Sequence, residues 1–294
     1  MGAKSQMMRF LFVLGIRGGL RSLSDETYIK LMYLCRFGKK IDLKDPVTFN
    51  EKLQWLKIHD RAPIYTTLVD KYAVKKYVSD VIGEKYIIPG YGVWDTFDEI
   101  DLERLPDRFV LKCSHDSGGL YICRDKKQMD VKAVRKKINR SLKRNYYWAG
   151  REWPYKNVPP RILAEKYMEE SVDEGLTDYK FYCFNGIPRF LYISKGLEDH
   201  KTAQISFLSM DWKMERFRRD DFRPFERVPE RPSGFEEMEK IARRLSKGIP
   251  FVRVDLYFIN GHIYFSELTF SPCSGFMRFI PEEADREIGG YIQL

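Results

Sequence analysis

No cysteine or histidine pattern in this chain has the spacing of a metal site or a disulfide framework. The five cysteines (35, 113, 123, 183 and 273) form an odd set without a Cys-x-x-Cys, and the four histidines (59, 115, 200 and 262) are scattered. That distribution argues against structural zinc and disulfide staples and fits a reducing compartment. Apolar runs are short as well. The run Phe10 to Ile16 lies between Arg9 and Arg17, far below the roughly 20 residues that span a bilayer. It has the length of a signal-peptide core, but Arg17-Gly18-Gly19-Leu20-Arg21 follows instead of a small-residue cleavage site, and Gln6 breaks the myristoylation pattern. The expected location is the cytoplasm. The run reads either as a first helix packed on the body or as a peripheral contact with the inner face of the membrane. Walker and dinucleotide-binding glycine motifs are absent, and no Asp-x-Asp occurs. The last absence counts against a metal-dependent glycosyltransferase, the competing enzyme class.

What remains is ordinary globular material rich in rings. Of 294 residues, 44% are hydrophobic, 15% aromatic and 32% charged, which excludes disorder, collagen and coiled coil as the main class and permits a core without staples. The formal net charge of +9 suits an anionic partner: a nucleotide, an acidic polymer, nucleic acid or a membrane surface.

Patterning divides the chain. Residues 1–65 read as helical, with a turn at Asp45-Pro46 and a capped helix from Thr48. Asp70 to Val78 reads as a second helical unit, closed by Pro89-Gly90-Tyr91-Gly92. Short strands are expected at Arg108–Lys112, Leu120–Arg124 and Ile162–Met168, and a basic helix at 126–144. The helix keeps Val131, Val134, Ile138 and Leu142 at helical spacing, so its charges read as a solvated face rather than a nucleic-acid surface, and no nucleic-acid partner is expected. Asn185-Gly186 and Asn260-Gly261 each mark a hairpin, with a helix at 236–247 between them. Strands and helices mix without strict alternation, so the fold class is α+β.

The second hairpin carries the chemistry. A two-residue loop would pair Ile259 with His262 and put Asp255 and Glu267 on opposite faces. A three-residue loop pairs Phe258 with His262 and Arg253 with Glu267, and gathers Arg253, Asp255, Glu267 and Thr269 on one face opposite Val252, Val254, Leu256 and Leu268. The second register is expected because it buries one apolar face. Asp255 and Glu267 are then diagonal neighbours, which invites a hard cation such as Mg²⁺ between them; the alternative is an Arg253–Glu267 surface pair beside a solvated Asp255. Upstream, Lys112 at a strand end precedes Ser114-His115-Asp116-Ser117-Gly118-Gly119. This reads as a phosphate grip or as a plain hairpin turn.

The order of these pieces resembles the ATP-grasp superfamily, and within it the TupA-like family linked to cell-surface polysaccharide synthesis. The phrases that carry the resemblance are TFNEKLQWLK, DKYAVKKYV, FVLKCSHDSGG, ILAEKYM, DYKFYCFNG and VRVDLYFINGHIYFSELTFSP, spread over about residues 47–275. The resemblance implies an ATP-grasp fold of two α+β subdomains holding ATP between them, at 66–164 and 165–294, after a helical region at 1–65. It implies that Lys75, taken in preference to Lys71, and Lys112 contact phosphates. The loop with Ser114, Ser117, Gly118 and Gly119 would be a lid donating hydrogen bonds to them. Glu165, Lys166 and Met168 would read adenine, Asp178 the ribose, and Lys180 the phosphates. Arg253 would stabilise the transferring phosphate and the oxyanion, and Asp255, Glu267 and Thr269 would hold Mg²⁺. Thr269 stands where the family usually has Asn. The implied activity is ATP- and Mg²⁺-dependent joining of a carboxylate to an amine through an acyl phosphate, with ADP released. The implied substrates are an anionic sugar or polysaccharide precursor and an amino acid or other amine.

Overall fold

A computed structural model describes residues 3–169, 176–196 and 203–294. Helices lead, as the sequence reading expects: α1 (Ala3–Ile16), α2 (Asp25–Phe37), α3 (Phe49–His59), α4 (Ile64–Val69) and α5 (Ala73–Ile82). The start of α3 is fixed by a capping box. The Thr48 side chain accepts from the Glu51 N–H, and the Glu51 carboxylate accepts from the Thr48 N–H at 3.0 Å.

Two antiparallel sheets follow. The smaller is built from β1 (Gly90–Trp94), β2 (Phe109–Cys113), β3 (Leu120–Cys123) and β4 (Ile162–Lys166), in the order β1-β4-β2-β3. Between β3 and β4 lie the basic helix α6 (Val131–Leu142) and the one-turn α7 (Tyr147–Gly150). Val134 and Ile138 of α6 pack on Phe109, Leu111, Ile162 and Ala164, while Lys132, Arg135, Lys136, Lys137 and Arg140 stay exposed. Alternation along the strands turns Lys112, Leu163 and Glu165 to the opposite face.

The larger sheet has the order β10-β9-β5-β6-β7, from β5 (Asp178–Phe184), β6 (Ile187–Lys195), β7 (Gln204–Ser209), β9 (Phe251–Ile259) and β10 (His262–Thr269). A ribbon of β8 (Arg218–Arg219) and β11 (Phe279–Ile280), with helices α8 (Phe235–Leu245) and α9 (Ala284–Gly289), completes the described residues. One sheet face carries Phe181, Leu191, Val252, Val254 and Leu256 against Val74 and Val78 of α5 and Phe235, Met238 and Ile241 of α8. The other carries Tyr182, Phe184, Phe190, Phe207 and Phe251 against Phe49 and Leu53 of α3 and Ile288 of α9.

Three expectations change. The Pro89-Gly90-Tyr91-Gly92 stretch does not close a unit but enters β1, an edge strand with an irregular register between Gly90 and Gly92; an edge tolerates Pro and Gly where a central strand would not. The boundary drawn between 164 and 165 falls inside β4, because Glu165 pairs with Val110 of β2. The helices of 1–65 are not a separate layer, since Phe49 and Leu53 are buried in the aromatic core of the larger sheet.

Candidate active site

The β9–β10 hairpin reaches the expected face by an unexpected route. Its loop has two residues, with His262 opposite Ile259, so the first pairs follow the register that separates the two acids. A bulge at Ser266 then shifts the ladder, and Glu267 lies directly opposite Asp255, and Thr269 opposite Arg253. One inserted residue moves all later side chains to the other face. Arg253, Asp255, Glu267 and Thr269 therefore do share a face, but Asp255 and Glu267 are cross-strand partners rather than diagonal neighbours. Tight turns at Asn260 and Gly261 (φ 51° and 79°) fit the two-residue loop.

Charge is paired throughout this patch. Asp255 is fully buried; its Oδ2 lies 2.8 Å from Lys180 Nζ and 2.6 Å from Arg253 Nη2, and its Oδ1 accepts from Arg253 Nε at 2.7 Å. Arg253 Nη2 also donates to Glu267 Oε1 at 3.2 Å and Thr269 Oγ1 at 3.0 Å. Lys180 turns its other side to Asp178 Oδ1 at 3.1 Å. Burial penalises the Lys180 and Arg253 cations, and their acidic neighbours outweigh it, so both are held protonated well above their ordinary range. Burial pushes Asp255 up against the pull of those cations. Glu267 differs from Asp255: its side chain keeps 36% exposure to the cleft. Desolvation raises its pKa, but Lys71, Arg253, Lys180 and Lys112 override that and bring it down to about 2. The sheet thus presents an ionised carboxylate surrounded by cations.

The opposing wall comes from the small sheet and α5. Glu165, buried, bridges two lysines: Oε1 is 2.6 Å from Lys75 Nζ and Oε2 is 2.6 Å from Lys112 Nζ. Burial would raise this carboxyl, and Lys112 and Lys75 lower it instead. Lys75 also donates to the Ile88 carbonyl at 2.9 Å. Lys71, and not Lys75 alone as expected, enters the same space and donates to the Asp116 carbonyl at 2.6 Å. Lys71, Lys75, Lys112, Glu165, Ser266 and Glu267 line one small cavity of about 40 Å³. It shares Lys75, Ile87 and Ile88 with a larger hollow of about 580 Å³ bounded by Tyr72, Gly90, Leu163 and Tyr264. The spacing of the two lysines in DKYAVK, one helical turn apart, was the available signal for Lys71.

The Gly-containing loop is more tied down than a lid. Ser114 is buried; its N–H donates to Arg161 O at 2.9 Å and its hydroxyl to Pro159 O at 2.9 Å. Gly119 gives its N–H to Asp116 Oδ1 at 3.0 Å, and its carbonyl accepts from Cys113 at 2.6 Å. A Cβ at Gly119 would stand 2.4 Å from Ser141 Oγ. Only Ser117 and Gly118 are exposed, so the donors offered to a ligand narrow to this tip, and Ser114 and Gly119 belong to its framework. Of the residues expected at adenine, Glu165 meets the lysines, Lys166 is exposed, and Met168 is buried with Ile88 and Ile259.

A metal has a suitable donor set here. Among the described residues no three His, Cys, Asp or Glu gather to enclose an ion. Glu267 and Asp255 with the Thr269 hydroxyl offer hard oxygens from few residues, the chemistry Mg²⁺ accepts when phosphates and water complete its shell. Glu267 keeps the more open carboxylate, and Asp255 is shared with Lys180 and Arg253.

The family model described as TupA-like ATPgrasp matches residues 51–293. No curated protein matches the chain. Among solved structures the chain is similar to a D-alanine–D-alanine ligase from Bacillus anthracis complexed with ATP, at 16% identity, TM-score 0.41, and 69% and 55% coverage of this chain and that one. It is also similar to D-alanine–D-alanine ligase from Helicobacter pylori, at 13% identity, TM-score 0.42, and 78% and 61% coverage. A third is the D-cycloserine synthetase DcsG, at 13% identity, TM-score 0.40, and 70% and 63% coverage. The chain thus spans less than two thirds of the length of each of these proteins.

Proposed function

The chain belongs to the TupA-like ATP-grasp family, and from that membership we propose that it is an ATP- and Mg²⁺-dependent carboxylate–amine ligase. The observation that carries this reading is the cleft itself: Lys71, Lys75 and Lys112 on one wall face Glu267, Thr269 and Arg253 on the other. The three lysines match a polyphosphate in charge, and the neighbouring hollow of about 580 Å³ is of ligand-pocket size. Mg²⁺, when bound, offsets charge on the transferring phosphoryl group.

The chain's own residues have separable tasks. Lys75 and Lys112 exchange Glu165 for phosphate oxygens. The Ser117–Gly118 tip donates to the same oxygens. Lys180, held between Asp178 and Asp255, would serve the phosphates and Asp178 the ribose, roles that rest on the family resemblance. Arg253, fixed by Asp255 and Thr269, meets negative charge that develops first on the acyl phosphate and then on the tetrahedral oxygen. Such preorganised cations cost no rearrangement during reaction. The acid's carboxylate would take the γ-phosphoryl group from ATP and release ADP; the amine would then displace phosphate from the acyl carbon and give up a proton, leaving an amide. Family resemblance points to a sugar carboxylate as the acid, an amino acid or other amine as the nucleophile, and a role in cell-surface polysaccharide synthesis.

The test starts with thermal stability in ATP with and without Mg²⁺, since a ligand of the folded state raises the melting temperature by mass action. The expected result is a Mg²⁺-dependent shift that UDP-sugars do not give and that Glu267→Ala loses. ADP release is then screened over uronic acids paired with amines. A shift with UDP-sugars and none with ATP overturns the proposal in favour of a glycosyltransferase.

A further inference from the structure

From Met7 to Ile16 helix α1 carries one polar side chain, Arg9, and only part of its apolar surface is covered. Gly15 is buried so closely against α2 that a Cβ there would stand 2.3 Å from Met32 Sδ, and Phe12 packs edge-on to Phe276 at 5.7 Å. The outer side shows Met7 at 57% and Phe10 at 65% exposure, three residues apart on one stripe. Exposed Arg9 and Arg17 flank them, and Arg21 lies over the Trp148 ring at 5.9 Å. Residues 3–24 contain no Asp or Glu. Among the described residues no helix is long and apolar enough to cross a membrane, and the 14 residues of α1 are too few to do so.

We propose that the outer face of α1 is a docking surface for an anionic lipid bilayer, with Met7 and Phe10 seated among the acyl chains and Arg9, Arg17 and Arg21 on the headgroups. An apolar helix face bordered by arginines is the composition that lies in a membrane interface. Charge chooses this occupant over a second copy of the chain. A two-fold contact through the face would bring two acid-free arginine sets together, whereas anionic headgroups neutralise them at about fivefold in affinity per basic residue. The face is also joined firmly to the body. Arg151, 2% exposed, donates to the carbonyls of Leu20 at 2.9 Å, Arg21 at 3.3 Å and Leu23 at 3.0 Å. The next residue, Glu152, accepts from Ser274 at 2.7 Å, five residues after Thr269. A docked α1 therefore holds the site at a fixed attitude to the bilayer. The inference stands on α1 and does not depend on the ligase reading.

The experiment is flotation of the full chain with vesicles of phosphatidylcholine alone or with about one third phosphatidylglycerol, at low and high salt. Binding is expected on the anionic vesicles, weakening with salt. It should fall at least tenfold in Met7→Ser/Phe10→Ser and about twentyfold in Arg9→Ala/Arg17→Ala, with the melting temperature held within a few degrees. Absence of flotation with anionic vesicles overturns the proposal. So does a dimer in light scattering that Met7→Ser/Phe10→Ser converts to monomer.

Discussion

At the scale of single residues, Glu165 is the position where two accounts of the site diverge. Resemblance assigns it to adenine, while the geometry places it between Lys75 and Lys112, 2.6 Å from each. A buried carboxylate shared by two lysines occupies the charge position a phosphate would take. Removing it leaves two facing cations, and breaking a buried pair costs about 3–5 kcal/mol. The lysines here retain 21% and 23% exposure, so about 2 kcal/mol is expected for Glu165→Gln without nucleotide. Nucleotide phosphates would restore the missing anion, so the thermal shift given by Mg·ATP should be larger in the variant than in the parent chain. Melting curves of both proteins with and without Mg·ATP decide it: a smaller shift returns Glu165 to direct contact with the nucleotide, and an unchanged shift makes the bridge purely structural.

At the scale of elements, the informative comparison is between the two hairpin features that position the site. The gathering of Arg253, Asp255, Glu267 and Thr269 was legible because apolar residues alternate opposite them. The route was not: a two-residue loop followed by a bulge at Ser266 produces the same face as a three-residue loop, and periodicity cannot distinguish them. Strand β1 was hidden by Pro89, Gly90 and Gly92, which mark turns unless an edge position excuses them. The framework of the Gly-containing loop was invisible for another reason. Asp116 holds the Gly119 N–H at 3.0 Å and also accepts from Ser141 on α6, a contact across 25 residues that local sequence does not encode. That framework makes Gly119 irreplaceable. A methyl there would meet Ser141 Oγ at 2.4 Å and both Asp116 Oδ1 and Cys113 Cβ at 2.7 Å, and overpacking of this kind costs about 1–3 kcal/mol. Gly119→Ala should melt several degrees lower and bind Mg·ATP at least tenfold more weakly, as titrated by thermal shift. Gly118→Ala, with no atom within 4 Å of its added Cβ but a φ of 129°, should lose stability without any steric clash to relieve.

At the scale of the whole molecule, the ATP-grasp fold is not preceded by a detachable helical region. Phe49 of α3 has ring neighbours on the adjacent strands β9 and β5: Phe251 at 5.0 Å, Phe184 at 6.1 Å and Tyr182 at 6.2 Å. Five residues later, Gln54 donates to the carbonyls of Ser274 at 3.0 Å and Gly275 at 2.8 Å. Lys57 donates to Ser274 and, at 2.8 Å, to Gly150. These bonds hold a turn in which Cys273, Ser274 and Gly275 all have left-handed backbones (φ 51°, 53° and 69°), conformations that cost about 1 kcal/mol or more for the two non-glycine residues and persist only when neighbours fix them. The turn follows the hairpin of Glu267 and Thr269, so α3 braces the site from behind while filling the core. Two deletions should therefore behave differently. Removing residues 1–22 takes away α1 and its exposed face but leaves Phe49, Gln54 and Lys57 in place, and the chain should still fold and respond to Mg·ATP. Removing residues 1–65 uncovers the aromatic face of the larger sheet and frees the strained turn. Loss of one large core aromatic alone costs about 3–5 kcal/mol, a large part of a typical domain's 5–15 kcal/mol, so this shorter chain should show no cooperative melting in calorimetry. A sharp transition with intact Mg·ATP response in the 1–65 deletion would mean that α3 is an accessory and that the grasp closes without it.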